Sequence, residues 1–179
     1  FGHSVLAMSG EESLAQDAPA KAMLARKMLA NADKEKGDAE RFALLLRARE
    51  LALAAGDLPT AVNAVNVLTG RFAVNAREWK LETVGKAAAV ARSPLEHALV
   101  AQHAWEIANS FAANDDFPRA LQTAKLAGAS AKKAGDKNFL ARWTERAKRL
   151  QETASQFEAI RPALAILKDS PDNAHANGA

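Results

Sequence analysis

A chain of 179 residues with 49% hydrophobic and 25% charged residues and a net charge of +3 can bury a sizeable core, and its composition excludes a disordered or fibrous protein. The absence of cysteine removes disulfides, thiolate chemistry and cysteine-ligated metal, and no apolar run reaches the roughly 18 residues that a membrane span needs. Alanine supplies 43 of the 179 residues and tyrosine none, and no stretch alternates like a strand, so the fold class is all-α.

Residues 1–16, opening FGHSVLAMSG, lack a basic-then-apolar signal pattern and read as an N-terminal tail or trimmed remnant. A helical repeat-like domain is expected over residues 17–168. Its first helix should cover 18–36, with Asp17 as cap, Pro19 in the first turn and Met23, Leu24, Lys27 and Met28 on successive turns. The second should cover 39–55, with Phe42, Leu45, Leu46, Arg49 and Leu53 spaced as a buried stripe. Pro59 opens a third that stops at Gly70, and Asn75 caps a fourth over 76–92. Ser93-Pro94-Leu95-Glu96 is a capping box that starts a fifth, running to about residue 113.

Asp116 and Pro118 open a sixth helix, ending at Gly135, and a seventh follows Asp136. That helix has the pattern to reach Lys168, but Pro162 lies within it. A mid-helix proline costs ~3 kcal/mol, so a kink or break is expected at residues 159–162. Ser170-Pro171-Asp172-Asn173 reads as a further helix start, making 169–179 a truncated beginning that should fray. Three Gly-Asp pairs, Gly37-Asp38, Gly56-Asp57 and Gly135-Asp136, are expected to end one helix with a left-handed glycine and cap the next with aspartate.

The stretches AAGDLPTAVNAV (54–65) and AANDDFPRALQTA (112–124) look like one corner used twice. Superposing Pro59 on Pro118 puts Leu58 on Phe117, Ala61 on Ala120 and Val62 on Leu121. The neighbourhood of Gly37-Asp38 and Phe42 likewise matches Gly135-Asp136 and Phe139. Ala108, Phe111, Ala120 and Ala127 fit the small, aromatic, small, small positions of the tetratricopeptide repeat. Three helix starts separate the two prolines, so either the unit has three helices or the likeness reflects how helix corners are made. Both readings give an antiparallel array of about seven helices, an irregular tetratricopeptide-like α-α superhelix.

The run LARKMLANADKEKGDAERFALLLRARELALAAGDLPTAVNAVNVLTGRFAVNAREWKLE, followed by FAANDDFPRALQTAKLAGASAKKAGD and LKDSPDNAHAN, resembles a helical domain of large modular planctomycete proteins. The resemblance covers residues 24–177 and rests mainly on alanine, leucine and cap residues. It implies a multi-domain, exported parent in which further helical sequence follows Ala179. It brings no established activity and no catalytic residues to carry over.

Glu96, His103 and Glu106 share one face of the fifth helix and are the best metal or acid–base candidates. A di-iron bundle needs carboxylates and Glu-x-x-His from several helices, so solvated or interhelical polar contacts are the preferred reading. His97 faces elsewhere, and His3 and His175 lie in tails. Ser93 is a cap, Ser110, Ser130 and Ser155 sit inside helices without an elbow, and no phosphate-binding glycine pattern follows a strand. No cofactor, metal or catalytic residue is expected.

Residues 125–149 hold Lys125, Lys132, Lys133, Lys137, Arg142, Arg146, Lys148 and Arg149 against Asp136 and Glu145, a surplus of six positive charges. Arg142, Arg146 and Arg149 form a stripe beside an apolar one of Phe139, Trp143, Ala147 and Leu150. Such a corner can hold phosphates or an acidic partner. A solvated outer face is the preferred reading, because the aromatics belong to the core stripe. Trp79, Trp105 and Trp143 are read as core or interhelix spacers.

The expected function is a non-catalytic protein-interaction or scaffolding module serving a protein partner or a neighbouring domain. The runner-up is polyanion or nucleic-acid binding through Lys132, Lys133, Lys137, Arg142, Arg146 and Arg149. A third reading is an accessory helical domain of an exported enzyme. Membrane binding is not expected, because the helices are alanine-rich and polar on their outer faces.

Overall fold

A computed structural model describes residues 16–170 of the chain. It contains seven helices: α1 (Ala18–Ala32), α2 (Asp38–Ala54), α3 (Leu58–Arg71), α4 (Ala76–Val90), α5 (Pro94–Ala112), α6 (Phe117–Ala134) and α7 (Lys137–Asp169). Among the described residues there is no strand and no helix long and apolar enough to cross a membrane. His3, His175 and the segment from Pro171 onward lie outside the described residues.

The caps explain most of the boundaries. Asp17 accepts the Ala20 amide at 2.8 Å, Asn75 the Glu78 amide at 3.3 Å, and Ser93 with Glu96 closes a complete capping box. Four boundaries differ from expectation. α1 ends at Ala32 because the Asn31 carbonyl takes the amides of both Lys34 and Glu35. Arg41 of α2 then bonds the Ala32 and Glu35 carbonyls, satisfying the freed chain end. Gly70 does not stop α3, which runs to Arg71. The chain instead turns extended at Phe72 (φ −118°, ψ 145°), which carries its ring edge-on to Phe42 at 5.2 Å.

α4 ends at Val90 because the Glu96 carboxylate draws out the Arg92 and Ser93 amides at 2.6 and 2.9 Å. α7 is the fourth difference: it passes through Pro162 to Asp169 without a break. Residues 155–168 of α7 are mostly exposed, so water can reach the backbone carbonyl that Pro162 leaves unbonded.

The Gly-Asp corners are of two kinds. Gly56 (φ 75°) and Gly135 (φ 79°) adopt the left-handed conformation, and Asp57 and Asp136 cap the helices that follow. Gly37 differs, with φ −80° as the cap residue of α2, and Asp38 pairs with Arg41 instead of capping. The proposed match between Gly37-Asp38 and Gly135-Asp136 therefore fails in the backbone.

The match of Pro59 with Pro118 holds at the corner. The Asp57 amide donates to the Ala52 carbonyl (2.8 Å) as the Asp116 amide does to Phe111 (3.1 Å), a Schellman-type closure. Asp115 (φ 58°) takes the left-handed place of Gly56. Each run then continues into a third helix, with an aromatic of the first helix meeting an indole of the third: Phe42–Trp79 at 6.4 Å and Trp105–Trp143 at 5.4 Å.

Links of two to five residues make consecutive helices antiparallel neighbours. Each packs on the next, and the pairs α1/α3, α2/α4 and α3/α5 also touch. Alanine supplies 15 of the 31 buried hydrophobic side chains, so backbones meet along seams with little side-chain bulk between them. The most extensive seam joins α5 (Ala101, Ala104, Ala108) to α6 (Ala120, Ala127, Ala131), plugged at its corner by Phe111 and Phe117. Thr83, at 0% exposure, accepts the Nε–H of buried Arg49 at 2.7 Å and donates to the Trp79 carbonyl. Arg49 Nη2 lies 3.0 Å from Glu82 without hydrogen-bond alignment, and its guanidinium sits over the Trp79 ring. This cluster ties α2 to α4.

Candidate functional site: a basic groove between α6 and α7

Two helical stripes build the groove. α6 contributes Leu121, Ala124, Lys125, Gly128 and Lys132, and α7 contributes Leu140, Trp143, Thr144, Ala147 and Gln151. Both sets follow three- and four-residue spacing, so each presents one continuous face. The concavity, about 450 Å³, exists because small residues stand where a close-packed pair would carry bulk. At Gly128 an added Cβ would meet nothing within 4 Å. The floor is apolar, with Trp143 only 5% exposed and held edge-on by Trp105 and Phe139.

The eight basic residues singled out from the sequence are all exposed, but only two of them line this groove. Helical spacing puts Arg142, Arg146 and Arg149 on the flank of α7 turned away from Leu140, Thr144, Ala147 and Gln151. Lys125 and Lys132 stand on its rim. Lys133 and Lys137 flank the α6–α7 corner. Arg142 and Arg146 lie over the rings of Phe139 (5.9 Å) and Trp143 (5.1 Å), which holds their guanidiniums against the apolar stripe. Arg149 is paired with Glu145 at 3.0 Å and Lys148 with Glu152 at 3.9 Å. Lys125, Lys132, Lys133, Lys137, Arg142 and Arg146 have no carboxylate partner among the described residues. The positive surplus is therefore not cancelled locally.

The structure separates the other candidate cluster. His103 Nδ1 lies 3.1 Å from Glu106 Oε2, but Glu96 is spent on the capping box. Backbone N–H bonds from Arg92 and Ser93 hold its carboxyl below the usual range, against a smaller opposing effect of burial. No group of three metal-ligating side chains occurs among the described residues. Trp79 and Trp105 are half-buried between helices, as expected for spacers.

Two features escaped the sequence reading. The groove itself depends on an absence of bulk at Gly128 and Ala147, which a stripe of apolar residues does not announce. A second cavity, about 250 Å³, lies between α3, α4 and α5 and is lined in part by Arg77 and Lys80. Their spacing of three along a helix was the available signal.

No protein-family model matches the chain, and no match was found among curated proteins or solved structures.

Proposed function

We propose that the chain is a non-catalytic interaction or scaffolding module whose α6–α7 groove receives an acidic, amphipathic helix from a partner protein or a neighbouring domain. One observation carries the proposal: an open apolar trough bordered by Lys125 and Lys132, neither of which a carboxylate among the described residues neutralises. From Leu121 to Lys132 the α6 wall is about 16 Å long at 1.5 Å per residue, room for three turns of a ligand helix. Helix-in-groove recognition uses this combination, with apolar anchors every three or four residues in the trough and charge fixing the register. The tetratricopeptide-like spacing of Ala108, Phe111, Ala120 and Ala127 agrees with a helical-repeat scaffold of this kind.

The exposed, unpaired cations also favour a second reading, polyanion or nucleic-acid binding. Two peptides of equal negative charge separate the readings, one with leucines at helical spacing and one with serines in their place. The groove reading predicts that Trp143 fluorescence responds to the leucine peptide, that the serine peptide binds at least about tenfold more weakly, and that moderate salt weakens but does not abolish binding. Equal binding of both peptides, with a steep loss on salt addition, would establish the polyanion reading instead.

A further inference from the structure

We propose that the cavity between α3, α4 and α5 binds a small carboxylate with a compact apolar body, independently of the α6–α7 groove. The cavity is built by one face of each helix, and α3 and α5 touch only lightly there. α4 places Arg77 and Lys80 one turn apart on its wall. Neither has a carboxylate partner among the described residues. Arg77 is fixed with its guanidinium 5.9 Å over the Phe111 ring, and both residues are half-buried.

The one carboxylate on the lining, Glu106, is occupied by His103 at 3.1 Å and by the Gln102 amide at 3.3 Å. Glu106 keeps its charge, so the lining sets two partly desolvated cations against one carboxylate, a surplus of one positive charge that an incoming carboxylate relieves. Asn66 and Ser110 add an amide and a hydroxyl to the same lining, suited to a second carboxylate oxygen or a ligand hydroxyl. Val62, Val84 and Ile107 close the remaining wall, which favours a hydrocarbon or ring over a bare phosphate. A volume of 250 Å³ equals roughly eight waters of liquid, which limits the ligand to the size of benzoate or a short branched acid.

Titration of the chain with benzoate, and separately with inorganic phosphate, tests the assignment by amide NMR and calorimetry. The expected result is saturable benzoate binding that shifts amides around Asn66, Arg77, Lys80 and Ser110, with phosphate weaker by about tenfold or more. Arg77→Gln combined with Lys80→Gln should weaken benzoate binding by about tenfold or more at unchanged helical circular dichroism. Ser110→Leu, which fills the cavity without changing charge, should do the same, while Lys132→Gln with Lys133→Gln should have no effect. The assignment is overturned by an absence of saturable binding at tens of millimolar benzoate, by phosphate binding as tightly, or by undiminished binding in both cavity variants.

Discussion

The α2–α4 and α5–α7 runs turn the same corner, with Pro59 and Pro118 in equivalent places, yet they are finished differently. In the first run the corner carboxylate is drawn into the body. Asp57, with its side chain 11% exposed, receives Arg26 of α1 at 2.6 Å, and buried Arg49 fastens α2 to α4. In the second run Asp116 is 35% exposed and is approached by Arg119 of its own helix. Among the described residues no buried cation ties α5 to α7, and the space beside α6 stays open as the groove. The backbone corner therefore sets the architecture, while side-chain bulk and charge on the following helices decide whether a surface is sealed or left available.

The largest break in this comparison is Phe111→Ala. Phe111, 1% exposed, plugs the second corner where Ala52 closes the first. Its loss should cost ~3–5 kcal/mol, read as a lowered denaturation midpoint in urea. The reverse change, Ala52→Phe, overpacks a residue at 0% exposure and should cost ~1–3 kcal/mol. If Phe111→Ala were silent, the two corners would not be packed as described.

Gly56→Ala comes next. At φ 75° the new methyl is strained and lies 3.0 Å from the Glu96 carboxylate, so a loss of ~1–2 kcal/mol is expected. Asp115→Gly at φ 58° should go the other way by several tenths of a kcal/mol or more, through relief of the same strain. The pair of thermal midpoints, one lowered and one raised, sharpens the equivalence of the two positions.

Removing the caps should separate the corners by degree. Asp57→Ala loses the Thr60 amide, the Thr60 hydroxyl and Arg26 together, at ~1–2 kcal/mol. Asp116→Ala loses the Arg119 amide and a more exposed ion pair, nearer ~0.5–1 kcal/mol.

The smallest effect is on pH. Burial pushes the Asp57 carboxyl upward, but bonds from Thr60 and Arg26 outweigh it and the net value falls below the ordinary 3.8. Lys86 first, then Arg49, lower Glu82 in the same direction from 4.5. Depressed folded values mean that this stability is complete above the ordinary carboxylate values and is lost as pH falls through the lower folded ones. Thermal midpoints should therefore decline below about pH 4.5, the ordinary value of Glu82, and Asp57→Asn should flatten part of that decline.

All seven helices could be read from caps and periodicity, because Asp17, Asp57, Asn75, Ser93, Asp116 and Asp136 signal their helices locally. The errors arose where distant groups intervened. Arg41 reaches back across a turn to end α1, Phe72 leaves the helix to pack on Phe42, and Pro162 is tolerated because its surroundings are wet. The cations at Lys132, Lys133, Lys137, Arg142, Arg146 and Arg149 were legible as a charge surplus. The apolar trough that Lys125 and Lys132 border was not, because Gly128 and Ala147 contribute by what they leave empty.

Gly128 also offers the most direct test of the proposed function. Leucine there fills the trough while adding helix propensity, so Gly128→Leu should keep or raise the thermal midpoint. The account predicts that the acidic amphipathic peptide then loses about tenfold or more in affinity, with every cation still in place. Unchanged affinity in a folded Gly128→Leu chain would contradict it.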